Sequence, residues 1–264
     1  HLELGATLFG IVDVPGHERF IKSMVAGAGG LDIVMLVVAA DEGVMPQTRE
    51  HLDICQLLGV QRGMVALTKA DLAEPDWLEL VQDDLRDVLA GTFLAEAPIV
   101  PCSAVSGAGL DEILQALQQL SRAVEQRDSG GLLRLPLDRV FTIKGFGTVV
   151  TGTLLSGSIA PGDEVTVLPV EESAKVRSVQ VHGSEVERAL AGQRTAVNLG
   201  GVERQAVSRG EVVVHPGTFA PSSMIDAVVT LLPGARSALK QRSKVLFHIG
   251  TRQQEATCVL LDAG

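Results

Sequence analysis

Asp13-Val14-Pro15-Gly16-His17 follows the apolar run Leu8-Phe9-Gly10-Ile11-Val12, and the reading of this stretch decides the fold. A strand that ends in Asp-x-x-Gly brings a carboxylate and a glycine N–H to one point in space. The carboxylate can hold a water on Mg2+, and Gly16 lets the main chain approach a terminal phosphate with no Cβ in the way. Taken alone, the pentapeptide is a common turn. Its weight comes from two later stretches, each placed after an apolar run: Thr68-Lys69-Ala70-Asp71, and Cys102-Ser103-Ala104.

Working outward, residues 1–126 alternate between strand and helix patterns. Runs suited to buried parallel strands occur at Phe9–Val12, Ile33–Ala39, Met64–Thr68 and Ile99–Cys102. Pro46 opens a helix carrying Leu52, Cys55 and Leu58 at helical spacing, and Gly59 closes it. Leu110, Ile113, Leu114, Leu117 and Leu120 form a second apolar stripe, with Asp111 and Glu112 at its positive end. This alternation predicts a doubly wound α/β domain, in which ligands sit at the carboxyl ends of the strands. All three motifs fall at such ends.

Residues 127–131 (Arg127-Asp128-Ser129-Gly130-Gly131) read as a linker. Beyond it the texture changes to short β-rich runs divided by turns: Arg139–Ile143, Thr148–Leu154, Glu164–Leu168, Ala174–His182, Thr195–Leu199 and Glu211–Val214. Their spacing predicts a small β-barrel over 132–217. Strands resume from Ile225, and 218–264 is too short to close and fill a second barrel, so it reads as part of one. The division expected is therefore a partial nucleotide-binding domain over 1–126, the linker, the barrel, and a partial second barrel.

Composition excludes several classes. No apolar run approaches 18 residues and no basic-then-apolar leader is present, so a cytoplasmic protein without a membrane span is expected. Cys55, Cys102 and Cys258 lie far apart with no C-x-x-C pair, which fits core residues in a reducing compartment better than disulfides or a zinc site. A net charge of −10 argues against indiscriminate nucleic-acid binding. The charge is uneven, however: residues 227–254 hold Arg236, Lys240, Arg242, Lys244 and Arg252 and no acid. That is either a solvated strand face or a local patch for a phosphate backbone.

The motifs carry defined chemistry. An aspartate at position 71 can accept two N–H bonds from a guanine edge, a pattern adenine does not offer. The Lys69 stem can cover the base, and Ser103-Ala104 can cap it through a backbone N–H. His17 directly follows Gly16, where an imidazole would stand beside a water attacking a γ-phosphate. His51, His182, His215 and His248 have no metal-ligand spacing and read as structural or surface residues. A Gly-x-x-x-x-Gly-Lys-Ser/Thr loop would be expected upstream of Asp13, yet Gly-Lys occurs nowhere in the sequence. As it stands, the sequence is expected to bind GTP poorly or not at all.

Asp13-Val14-Pro15-Gly16-His17-Glu18-Arg19-Phe20, Met24-Val25-Ala26-Gly27 and the run Leu36 to His51 (LVVAADEGVMPQTREH) resemble the translational GTPases of the elongation factor Tu type. Within them, Thr68, the run Phe141 to Thr153 (FTIKGFGTVVTGT), Val181-His182-Gly183 and Val214-His215-Pro216-Gly217-Thr218 are similar to the selenocysteine-specific branch. The resemblance implies a GTPase that carries selenocysteinyl-tRNA to the ribosome as a monomer, with an mRNA hairpin contacted through a C-terminal domain. It also implies site residues. Asp13 would hold Mg2+ through water, and His17 would be catalytic. Asp13, Val14, Pro15, Gly16, His17, Thr68, Lys69, Ala70, Asp71, Ser103 and Ala104 would bind GTP or GDP. Because a selenol ionises below neutral pH, a pocket that selects it over serine should offer cations, for which Arg177, His182, Arg194 and Lys144 are candidates. Another tRNA-carrying GTPase and a non-catalytic binding module remain alternative readings.

Overall fold

The structure is a computed structural model that describes residues 1–13, 30–124, 127–143, 145, 147–231, 235 and 237–261. It divides into two compact units. One holds the described residues 1–13 and 31–124, the other Gly30 and the described residues from 127 onward.

The first unit begins with a hairpin, β1 (Leu2–Leu4) against β2 (Thr7–Phe9), turning at Gly5 with φ 61°. Then follow β3 (Val34–Ala39), α1 (Pro46–Leu57), β4 (Gly63–Thr68), α2 (Pro75–Leu89), β5 (Ile99–Pro101) and α3 (Leu110–Arg122). β3, β4 and β5 form a parallel sheet in that order. In β4, every residue from Gly63 to Leu67 is buried, as a central strand covered on both faces requires. Leu36, Val38, Val65 and Leu67 pack with Leu52 of α1 and Val81, Leu85 and Leu89 of α2. On the other side Met64 and Val100 meet Ala116 and Leu117 of α3, together with Leu2, Leu4 and Phe9 of the hairpin. Helices on both faces make this the doubly wound α/β arrangement read from the sequence.

Two expectations need correction here. The strand expected over Phe9–Val12 ends at Phe9, because its ladder ends where Leu2 pairs Phe9 and β1 has nothing further to offer. Ile11 and Val12 are accordingly exposed, at 68% and 47%. The helix α2 was not among the patterns read from the sequence.

The second unit contains β6 (Leu135–Pro136), β7 (Arg139–Ile143), β8 (Gly147–Thr153), β9 (Ser158–Ile159), β10 (Glu164–Leu168), β11 (Glu172–Val181), β12 (Ser184–Glu185), β13 (Ala189–Leu190), β14 (Arg194–Gly200) and β15 (Val212–Val214). The main sheet runs β6-β15-β10-β11-β14-β8-β7, antiparallel throughout. It curls back on itself: Arg134 N donates to Ser156 O at 3.1 Å and Leu155 N to Arg134 O at 2.9 Å, joining the start of the sheet to the segment after β8. At this closure a Cβ on Gly152 would lie 2.0 Å from Pro136 O, so only glycine fits. The interior is filled by Leu133, Leu135, Leu137, Val150, Leu154, Ile159, Val165, Val167 and inward residues of β11 and β14. Asp128 O accepts from Gly157 N at 3.0 Å, so the stretch that reads as a linker is tied into this unit.

A two-stranded hairpin follows, β16 (Ser243–Ile249) with β17 (Arg252–Cys258). Strands were expected from Ile225, but residues 225–231 form none, and Val228 is 99% exposed. Among the described residues no strand pairs with that stretch, and an unpaired apolar run gains nothing from an extended shape.

Candidate functional site

The parallel sheet delivers three loops to one edge, because β3, β4 and β5 run in the same direction and each ends there. β3 leads into Asp41-Glu42, β4 into Lys69-Ala70-Asp71, and β5 into Cys102-Ser103-Ala104. The second and third loops are joined directly. Ala70 N donates to Cys102 O at 3.1 Å, and Cys102 N donates to Leu67 O at 2.8 Å.

Lys69 takes the left-handed conformation, φ 57° and ψ 30°, which turns the chain out of β4 into a single 3-10 turn over Ala70–Leu72. Its ammonium donates to Asp41 Oδ2 at 2.9 Å and stands 3.5 Å from Glu42 Oε1. The hydrogen bond that the ammonium donates to Asp41 holds its pKa above the ordinary lysine value; desolvation opposes this, and the charges of Asp41 and Glu42 add to the rise. The Asp71 carboxylate is exposed and meets no partner among the described residues, so its acceptor sites stand open. Thr68 Oγ1 donates to Val38 O at 3.2 Å, which ties the base of the loop to the neighbouring strand.

Ser103 is 1% exposed, and its Oγ accepts from Val105 N and Ser106 N, both at 3.2 Å. Those bonds shape the loop and leave Ala104 exposed, with no acceptor for its N–H among the described residues. Gly109, with φ 76°, closes the loop at the start of α3, where a Cβ would lie 2.1 Å from Pro101 O. An open aspartate, an open backbone N–H and a lysine stem at one edge fit the edge and face of a guanine base.

Asp13 is described and exposed. Val14, Pro15, Gly16 and His17 lie outside the described residues, as do Lys144 and Arg236. No group of three His, Cys, Asp or Glu that could hold a metal ion occurs among the described residues. His215 Nε2 lies 3.8 Å from Asp163 Oδ2.

On the barrel the cationic candidates separate. Arg194, at the start of β14, donates from Nη1 to Asp138 Oδ2 at 2.6 Å and from Nη2 to Asp138 Oδ1 at 3.2 Å. Thr151 Oγ1 donates to the same carboxylate at 2.8 Å. His182 follows the end of β11 on Arg194's side, since Val181 pairs Thr195. Arg177 sits on a bulge of β11 between Val176 and Ser178, with Nε 2.7 Å from where a Gly200 side chain would begin. Gly200 and Arg194 are the two ends of β14, about 20 Å apart. Arg177, His182 and Arg194 therefore do not form one pocket. Asp138 and Asp41 were missed in the sequence, although Asp41 follows an apolar run as directly as Lys69 does.

The basic residues 240–252 lie on and beside the β16–β17 hairpin. Lys240, Arg242 and Lys244 are exposed, and Arg252 is half-buried. No helix among the described residues is long and apolar enough to cross a membrane. Cys55, Cys102 and Cys258 are free thiols, and burial pushes the pKa of Cys55 and Cys102 up.

Residues 2–123 match the Elongation factor Tu GTP binding domain family, and residues 147–214 match Elongation factor Tu domain 2. The selenocysteine-specific elongation factor of Desulfomicrobium baculatum is 54% identical over 253 residues, 96% of this chain and 40% of that protein. The protein of the same name from Escherichia coli is 43% identical over 203 residues, 76% of this chain and 33% of the relative. Among solved structures, translation elongation factor SelB from Methanococcus maripaludis in complex with the GTP analogue GppNHp superposes with a TM-score of 0.83 at 31% identity, covering 93% of this chain and 55% of that one. A bacterial selenocysteine-specific elongation factor gives a TM-score of 0.82 at 32% identity, covering 95% of this chain and 42% of that one. The chain thus spans about 40% of the length of the first curated relative it matches.

Proposed function

The chain belongs to the elongation factor Tu-like translational GTPases, in their selenocysteine-specific branch, and on that premise we propose that it forms the nucleotide-handling and cargo-handling part of a factor that delivers selenocysteinyl-tRNA to the ribosome. The observation that carries this reading is the convergence of Lys69, Asp71 and the Ser103–Ala104 loop at one sheet edge. Asp71 accepts the two N–H groups of guanine, Lys69 lays its stem along the base, and Ala104 N–H donates to the guanine carbonyl. Thr68 and Ala70 hold the intervening backbone. Bound GTP supplies the β–γ phosphoanhydride that is hydrolysed. Asp13 would hold Mg2+ through a water, Val14, Pro15 and Gly16 would sense the γ-phosphate, and His17 would orient the attacking water.

The domain division that accompanies this reading is a GTP-binding part over 1–126, a linker over 127–131, a barrel over 132–217 and part of a further barrel over 218–264. The factor acts as a cytoplasmic monomer, and an mRNA hairpin is bound by sequence outside this chain. Cargo selection falls to Arg194. Its fork is oriented by Asp138 through two of its five donors, which leaves the others for a selenolate. His182 borders the same end of the barrel.

The test is binding of selenocysteinyl-tRNA and seryl-tRNA, carrying the same tRNA body, to the full-length protein with GTP and with GDP. The reading predicts tight binding only for the selenocysteinyl form and only with GTP. It further predicts that Arg194→Ala brings the two cargoes to within about tenfold of each other. Equal binding of both cargoes by the wild-type protein would contradict it.

A further inference from the structure

Trp77 is the only tryptophan in the sequence. It stands in the first turn of α2, two residues after Pro75, and is 45% exposed. Its indole Nε1–H donates to Ala40 O at 2.8 Å, across 37 residues of sequence. Ala40 itself is 0% exposed, and its N–H donates to Thr68 O at 2.8 Å. Ala40 is therefore held from both sides, by the last residue of β4 and by the indole. Glu42 N and Gly43 N both donate to Ala39 O, at 3.1 and 2.9 Å, which makes residues 39–43 a tight turn. Asp41 and Glu42 project from this turn onto the Lys69 ammonium.

Each contact in this chain fixes the next. Lys69 carries a long flexible stem, and a lysine held by one exposed carboxylate gains little net energy. A turn fixed at two peptide groups changes this by presenting two carboxylates at a set position. The ammonium then has one place to rest, and the stem is laid down beside Asp71 before any base arrives.

We propose that Trp77 is a positioning residue for guanine recognition: through the Ala40 carbonyl it fixes the Asp41–Glu42 turn, and that turn holds Lys69 beside Asp71. This rests on the reading of residues 68–71 as a guanine site. The indole touches no reacting atom; its effect reaches the base only through Asp41 and Lys69. A phenyl ring in its place keeps most of the apolar contact and loses the N–H alone.

The experiment measures the affinity of full-length protein for GDP and for IDP, which lacks the exocyclic amine that Asp71 reads. Wild type, Trp77→Phe, Asp41→Asn and the double variant are compared, with thermal unfolding recorded for each. Trp77→Phe is expected to weaken GDP binding about three- to tenfold, the size of one net hydrogen bond. In the Asp41→Asn background the same change is expected to do almost nothing, because the route from indole to lysine is already cut. A loss caused only by general destabilisation would instead add in full in the double variant and would overturn the proposal. Unchanged GDP affinity in Trp77→Phe would also overturn it. A wild-type protein that binds GDP no better than IDP would overturn the guanine-site reading, and this proposal with it.

Discussion

Gly109 shows how one residue can hold a loop in place. Its φ of 76° lies in the region glycine tolerates, and a Cβ would press on Pro101 O at 2.1 Å and on Cys102 Cα at 2.9 Å. Gly109→Ala is expected to cost about 1–3 kcal/mol of stability in urea unfolding and to weaken guanine nucleotide binding, since Pro101 and Cys102 lead into the Ser103 loop. Lys69 makes a prediction about pH. Its folded-state pKa is raised above the ordinary lysine value, so its ion-pair contribution is fully present below that value and is lost only as pH rises through the raised one. Nucleotide affinity should therefore show no loss from this group between neutral pH and the ordinary lysine range. The thiols should separate by burial: Cys55 and Cys102, at 3% and 4% exposure and with raised pKa, should alkylate slowly in the native state, while the less buried Cys258 reacts first. Mass mapping after brief iodoacetamide treatment checks this. At this scale the sequence shows where Lys69 and Asp71 stand, directly after β4, because a motif that closes an apolar run is a local signal. Trp77, Asp41 and Asp138 act through partners 37, 28 and 56 residues away, and no local spacing reveals such pairings.

Elements differ in how plainly their pattern shows. β7 and β10 occupy the very residues expected, Arg139–Ile143 and Glu164–Leu168, because alternation and turn signals agree there. α1 begins at Pro46 and ends before Gly59, which has φ 75°, again as its punctuation indicates. α2 was harder to see. Leu78, Val81, Leu85 and Leu89 do recur at helical spacing, but the exposed Leu80 sets a further apolar residue on the opposite face, among Asp83 and Asp87. The two-residue strands β9, β12 and β13 carry too little sequence to announce themselves. β2 was placed too late because its length is set by its partner β1, not by its own apolar run. Leu85, 0% exposed between α2 and the sheet, tests the element directly. Leu85→Ala should lower the unfolding free energy by about 2–5 kcal/mol, read as a shift in denaturant midpoint at constant slope.

For the molecule as a whole, protection should follow core and ladder. Amides of β4, β11 and β14 should exchange slowest, and those of Val228, Val229 and Thr230, exposed and outside any strand, fastest. The basic hairpin gives a second expectation despite the net charge of −10. If Lys240, Arg242 and Lys244 contact phosphates, replacing any one by Gln should weaken tRNA binding for every cargo alike and lower the salt slope by about 1. The central claim is that the edge formed by β4 and β5 reads guanine through Asp71. Its most direct test is the affinity of full-length wild-type and Asp71→Asn protein for GDP and XDP. An asparagine donates where the aspartate accepted, which matches the 2-oxo group of xanthine and opposes the amine of guanine. The account predicts that Asp71→Asn loses about a hundredfold in GDP affinity, the size of two charge-assisted hydrogen bonds, and comes to prefer XDP. GDP binding by Asp71→Asn at wild-type strength would contradict it.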